Sequence, residues 1–509
     1  MTHKHKGLSY TLKNWERKGK ASKALRMQVL RCVLAVGFAL SPWLGGEAFA
    51  ADAGIVRVND IPSGLTKEYL PAGATVAHIY AEQVSGTVGL NRFESFKVDS
   101  NQIANIHFQA YNDSTVLNTI VNTVKSKIEI NGYVNAIRNN KIGGNLYFIS
   151  PNGMVVGSGG VINAGSLTVV APTQDDFNTI INAEAAAARV NQSNSNTWAW
   201  GHLDDGISID VSGQINTATG IDLRAAIINI YKGSTNSSLR TGVMFNETVN
   251  LDNVTQQAGN IITGGRLTVL TDSEGHIVFD DDDNVTVYDP SNEAGASDDA
   301  LVKGTGVIKL RAEEYDGGYF GTLTIDGGNL DALGNVFIEA GTRFSIKNNA
   351  NIQSEEEIKI DLENSSGQNF FGDLDFNSGK IEADGLVKII VGKTITIGND
   401  AEIISGISKS EPDDKAKLVT QTGTITNHGE INANTTLDIQ AGVKGGSDNA
   451  SIINSGTIQS TGGGMSLTAD RLLTNTGKIQ ATSEIKFTVG GTLTNEGKIE
   501  STSSNVRHI

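Results

Sequence analysis

The sequence predicts an all-β protein, a right-handed parallel β-helix with small insertions outside the coil. Three observations lead there. First, a five-residue unit, Asn-x-Gly-x-Ile, occurs four times near the C-terminus, at Asn427–Ile431, Asn454–Ile458, Asn475–Ile479 and Asn495–Ile499. Successive asparagines are 27, 21 and 20 residues apart. A period of about twenty, with a turn before a short apolar strand, marks a stacked solenoid. Second, apolar and polar residues alternate in Ile395-Thr396-Ile397, Leu437-Asp438-Ile439, Met465-Ser466-Leu467 and Ile485 to Val489, the period of a half-buried strand. Third, whole units repeat strand to strand without the mirror symmetry of hairpins, which separates a coil from an antiparallel sandwich.

Residues 1–50 read as an extended secretory signal. Nine Lys and Arg stand against one acid in Met1 to Arg31; an apolar run, Cys32 to Leu44, and the small-x-small site Ala48-Phe49-Ala50 follow. The run is short of the ~20 residues a spanning helix needs, so cleavage after Ala50 is expected. Cys32 is the only cysteine. It leaves with the signal, and Arg31 before it rules out a lipoprotein site. The remaining chain therefore has no disulfide, and a large repetitive core must hold it. Its formal charge is −23, because the leader takes nine of 40 basic residues and only two of 56 acidic ones. Such a chain repels nucleic acid, which is not expected as a partner.

Residues 51–300 form the less regular part, with strands at Thr75 to Ile79 and Lys127 to Ile130. Asp175 to Val190 is the one helix candidate, with Phe177, Ile180, Ile181, Ala185 and Ala188 on one face. It would decorate or cap the coil. Asn191 to Asn196 reads as a polar linker, and Trp198 and Trp200 as residues packed on the coil rather than a carbohydrate platform. Asp280 to Asp283 is a solvated acidic loop that could alternatively ligate calcium. Regular rungs resume near Leu301, and residues 301–509 form the repeat shaft. In that shaft Asn427, Asn454, Asn475 and Asn495 should share amide bonds from rung to rung, with Gly429, Gly456, Gly477 and Gly497 in the adjoining turns. At ~22 residues per rung the coil would hold about twenty rungs over ~100 Å.

One segment carries more than fold. Gly143-Gly144-Asn145-Leu146-Tyr147-Phe148-Ile149-Ser150 leads into Pro151-Asn152-Gly153-Met154-Val155-Val156 and then Val161-Ile162-Asn163-Ala164-Gly165-Ser166-Leu167. Physically this is a strand, a tight turn, a strand and an Asn-x-Gly corner at Asn163 and Gly165, with Pro151 fixing φ and Gly153 free to take positive φ. The order of elements resembles the secretion domain of filamentous haemagglutinin-type exoproteins, exported by two-partner secretion. That family's turn is usually Asn-Pro-Asn-Gly; Ser150 replaces its first asparagine, while Pro151, Asn152, Gly153 and Met154 match. Gly89 to Val98 is similar to the family's aromatic-rich first strands, and Ile130-Asn131-Gly132-Tyr133-Val134 to the rung before the turn. The likeness spans roughly residues 51–300 and is nearest to leukotoxin-type filamentous adhesins.

The resemblance implies a secreted or surface-displayed adhesin. A cognate outer-membrane β-barrel transporter would recognise it through periplasmic domains, with Pro151, Asn152, Gly153, Asn163 and Gly165 as the secretion motif. A host or bacterial surface receptor would be the second partner. No enzyme is expected, and neither a cofactor nor a metal centre. His-Glu-x-x-His, Gly-x-Ser-x-Gly and calcium nonapeptides are absent from the sequence, and Gly392-Lys393-Thr394 lacks the first glycine of a phosphate loop, with Val387 in its place. The alternative reading is a polysaccharide-acting enzyme or a structural surface-layer protein. For the enzyme, Asp361, Glu363, Asp373 and Asp375 are the best carboxylates. Only Ser501 to Ile509 follow the last repeat, so a truncated adhesin, or a tip covered by a partner, is expected.

Overall fold

A computed structural model describes residues 54–508 except 72, 113, 193–199, 205, 234–237, 246–261, 267–268, 273–300, 305, 313–320, 363, 367–368, 408–414, 444–449 and 504. The expected signal with Ala48 and Ala50, the acids Asp280 to Asp283, Trp198 and Glu363 lie outside the described residues.

Each rung of the chain makes three short strands joined at tight corners, as in Val336–Ala340, Arg343–Lys347 and Ala350–Ser354. Each of these strands pairs in parallel with its counterparts in neighbouring rungs, so three sheets run along a parallel β-helix. Alternation decides which side chains enter: in Ile358–Leu362 the isoleucines and Leu362 are buried, and Lys359 and Asp361 face out. Inward residues of all three sheets, among them Ile338, Ile346 and Ile352 at 0 % exposure, form one continuous core. Each such isoleucine contributes roughly 1.5–3 kcal/mol. No strand could keep that face dry alone, so stability comes from stacking.

The first sheet contains fourteen successive strand segments among the described residues, from Val88 to His508, joined by thirteen parallel pairings. At ~4.8 Å per rung this spans roughly 60 Å, shorter than the sequence estimate. The reason is that long excursions consume residues without adding rungs. Residues 220–224 pair directly with residues 307–311; Ile227–Tyr231 and Ser238–Arg240 complete that rung on the other two sheets, and the described residues from Val243 to Gly304 form an excursion that gives the first sheet no strand. That excursion includes Leu301–Gly304, which pairs antiparallel with Val269–Asp272; the coil resumes at Val307–Ala312 rather than at Leu301.

The expected helix is two helices, Gln174–Phe177 and Ala183–Gln192. The Thr173 hydroxyl caps the first by accepting from Asp176 N, and Asn182 Oδ1 caps the second by accepting from Ala185 N at 2.9 Å. The second cap breaks the run and rotates its apolar face. Phe177, Ile180, Ala183, Ala186 and Val190 are buried, whereas Ile181 is 61 % exposed and Ala188 also faces solvent. The helices lie on the outside of the first sheet, over Val88, Leu90, Val121, Tyr147, Ile149 and Val170. They therefore decorate the coil's flank. Asn191 and Gln192, read as linker, complete the second helix.

Candidate functional site

The turn Ser150 to Gly153, expected to act in secretion, sits at the corner between Asn145–Ile149 of the first sheet and Met154–Val156 of the second. Ser150 O accepts from Gly153 N at 3.2 Å and closes the turn, with Pro151 at its second position. Gly153 has φ +75°, and a Cβ there would lie 2.1 Å from Ser208 O of the next rung, so only glycine fits. Ser150 ties the turn through its side chain. Its buried Oγ accepts from Asn152 N at 3.1 Å and donates to Ser126 O of the rung before at 2.8 Å. Asn152 is exposed, and its Nδ2 donates to Lys125 O at 2.7 Å. The turn is thus tied to the rungs on both sides, and Asn152 is its one side chain open to a partner.

Asn163 and Gly165 do not form a corner. Both lie inside the strand Val161–Val170, which stays extended and shifts register between Ala164 and Ser166. That shift lets one strand pass from the third sheet to the first without a loop. Asn163 is buried, donates from Nδ2 to Asn135 Oδ1 at 3.0 Å and accepts from Asn216 Nδ2 at 3.1 Å. Asn135 in turn donates to Asn105 at 3.2 Å. Sequence reading missed this asparagine ladder because its members stand 28, 30 and 53 residues apart, with no common motif around them.

An ionic cluster at the first rungs also escaped sequence reading. The strand Ile55–Arg57 runs antiparallel to Val88–Val98 and to Glu68–Tyr69 and covers the core there. Arg57, fully buried, approaches Glu82 to 3.5 Å and donates to Asn91 Oδ1 at 3.0 Å and Tyr80 O at 2.8 Å. Its guanidinium also lies 5.1 Å from the centre of the Phe93 ring. Arg92 clamps the other side of Glu82 and holds Asp60 at 2.9 Å, a hydrogen bond that keeps the Asp60 carboxyl below the usual range. Beside this cluster His78 Nδ1 and His107 Nε2 are 2.9 Å apart, with His107 stacked on Tyr80. Burial, reinforced by His78, lowers the His107 pKa to about 4.

Asn427, Asn454, Asn475 and Asn495 form the expected ladder. Each Nδ2 donates to the next Oδ1, at 2.8, 2.7 and 2.7 Å. The first three are at most 1 % exposed. Each ends a strand of the second sheet and turns inward at the corner. Glycine is required beside them for closeness: a Cβ on Gly456, Gly477 or Gly497 would lie 2.1 Å from the carbonyl oxygen of the glycine one rung earlier, and Gly429 is equally crowded by Ala401 O at 2.2 Å. Beyond the last repeat, Val506–His508 adds a further strand on Ile485–Val489.

The carboxylates proposed for catalysis are not gathered on one sheet. Asp361 is on the first sheet beside Lys359 at 3.0 Å. Asp373 and Asp375 are on the second, where Asp373 accepts from Thr394 N at 3.1 Å and Asp375 pairs with Arg343. Trp200 is 1 % exposed and packs on Tyr147, with ring centres 5.4 Å apart, as the packing reading required. On the first sheet burial disfavours a charged Asp222, but Arg224 and Arg311 outweigh it and hold its pKa at about 2. Among the described residues no cluster of three or more His, Cys, Asp or Glu is placed to hold a metal ion. No protein-family model matches the chain. No curated protein matches it either.

Proposed function

We propose that this chain is a surface adhesin of the filamentous haemagglutinin type, exported by two-partner secretion through a cognate outer-membrane β-barrel transporter. The observation that carries the reading is the Ser150–Gly153 turn. It keeps the family's Pro-Asn-Gly, is tied by Ser150 Oγ to Asn152 N and Ser126 O, and presents Asn152 outward on a corner fixed to its neighbours. Export of an unfolded chain agrees with the absence of cysteine after Cys32. Each rung that folds outside buries its apolar face on the one before, which favours outward movement without a nucleotide.

The test separates recognition from folding. Gly153 is crowded by Ser208, so replacing it disturbs the corner whatever its role. Asn152→Ala leaves the backbone turn bonds in place. With the transporter co-expressed, this variant should reach the surface at a small fraction of the wild-type level while the purified protein keeps its β spectrum. Normal display of Asn152→Ala would remove the role assigned to the turn.

A further inference from the structure

We propose that the outer face of the second sheet between residues 394 and 494 is a binding strip for an extended, uncharged polysaccharide. The assignment deepens the adhesin reading by naming a ligand class. Five consecutive strands place Thr396, Thr426, Ile453, Thr474 and Thr494 in one file, each paired with the next. Two residues earlier Thr394, Thr424, Ser451, Leu472 and Thr492 make a second file, and the residues between the files, Ile395, Ile425, Ile452 and Leu473 among them, point into the core. Neither file holds a charge. The corresponding file of the first sheet runs Lys359, Lys388, Lys417, Asp438, and that of the third runs Lys380, Glu402, Glu430. The second sheet carries charge before this strip, where Asp375 precedes Thr396 in the same file, and is neutral from Thr396 to Thr494.

Two further observations point to a ligand. Thr396, Thr426, Thr474 and Thr494 are partly exposed, and their hydroxyls make no hydrogen bond to the protein among the described residues. Ile453, in the same file, leaves 37 % of its surface open. The strip is also rigid. The amide ladder Asn427, Asn454, Asn475, Asn495 occupies the next position of the same strands and locks their register from beneath.

Size and repeat select the occupant. Five rungs at ~4.8 Å and two files about 7 Å apart give a strip on the order of 150 Å². A second copy or a folded partner needs roughly 800 Å² on each side, and a charge-free face offers nothing to a polyanion. What the strip offers is an open threonine hydroxyl and methyl on four of its five rungs, with Ile453 giving only apolar surface on the third, repeated at about the length of a pyranose ring. An extended β-linked neutral glycan presents the same alternation, hydroxyls at its edges and C–H groups on its ring faces. Each ring would bind weakly, and the repeat would supply avidity.

The experiment uses the purified full chain, without a transporter, so its failure leaves the export reading untouched. Retention is measured on insoluble cellulose and on heparin-agarose. The wild type should be retained on cellulose, and Thr426→Lys with Thr474→Lys should lower the bound fraction at least about tenfold. Gln459→Lys with Gln480→Lys, on the outward file of the third sheet, should bind as wild type; circular dichroism confirms that both variants fold. No retention of the wild type on cellulose, equal loss in both variants, or retention confined to heparin-agarose would each overturn the assignment.

Discussion

The rungs at 54–170 and those at 425–508 stack on the same three sheets and both carry buried asparagine files, yet only the first rungs add an ionic cluster. In the later rungs neutral amides hold the stack: one asparagine per rung bonds its copy in the next, beside a glycine stacked on a glycine. In the first rungs an antiparallel strand covers the core and is pinned by ions. Arg57, Glu82 and Arg92, with Asn91 between, come from three separate segments. A stack grown by repetition can satisfy each polar group with its own copy. Where repetition has not begun, the first rung has no copy beneath it, and unlike groups must be brought from elsewhere. Each solution has its own failure mode.

The largest expected effect comes from the ionic end. Arg57→Met leaves Glu82 buried with one cation fewer, which should cost about 3 kcal/mol or more. Lys498→Met breaks an ion pair at the other end, with Glu500 at 2.7 Å, but both side chains are exposed and solvent screens them, so the unfolding midpoint should not move measurably. Urea unfolding followed by circular dichroism measures both; equal losses would erase the contrast.

Acid should distinguish the regions next. His107 titrates near 4 when folded and near 6.5 when unfolded, so between these values the unfolded chain binds more protons. The first rungs therefore keep full stability above about pH 6.5 and lose roughly 3 kcal/mol as the pH falls to about 4. Hydrogen exchange at pH 7 and pH 4.5 should show strands Val76–Ala81 and Ile103–Ala110 loosening while the repeats at 425–481 hold. His107→Asn should flatten that dependence.

A smaller effect than that of the ionic end or of acid belongs to the ladder. Asn454→Ala deprives Asn427 Nδ2 and Asn475 Oδ1 of a partner in a buried file, at about 1–3 kcal/mol. Because rungs couple mainly to their neighbours, faster exchange should be confined to the strands around Ser451–Asn454. A loss spread to the first rungs would show that the two regions form one cooperative unit.

Legibility followed the same divide. In the repeats one motif carried both ends of every bond, so the asparagine file and its glycines were legible in the chain alone. The corner at Ser150 to Gly153 was legible too, because Pro and Gly act through their own backbone. The helix boundary was not, since Asn182 caps by a local bond that competes with the apolar period around it. Asn163 and Gly165 looked like a corner from composition, but the register shift depends on the strands to either side.

The sequence by itself determined the coil, its period and its inward residues, because alternation and turn chemistry act over a few residues. Only the tertiary structure decided which outward residues share a file. Thr396, Thr426, Thr474 and Thr494 are 98 residues apart from first to last and acquire a common face solely through parallel register. The same holds for Arg57 and Glu82. Long-range electrostatics and strand registry have no local signature, so what this surface binds is set at the level of the stack.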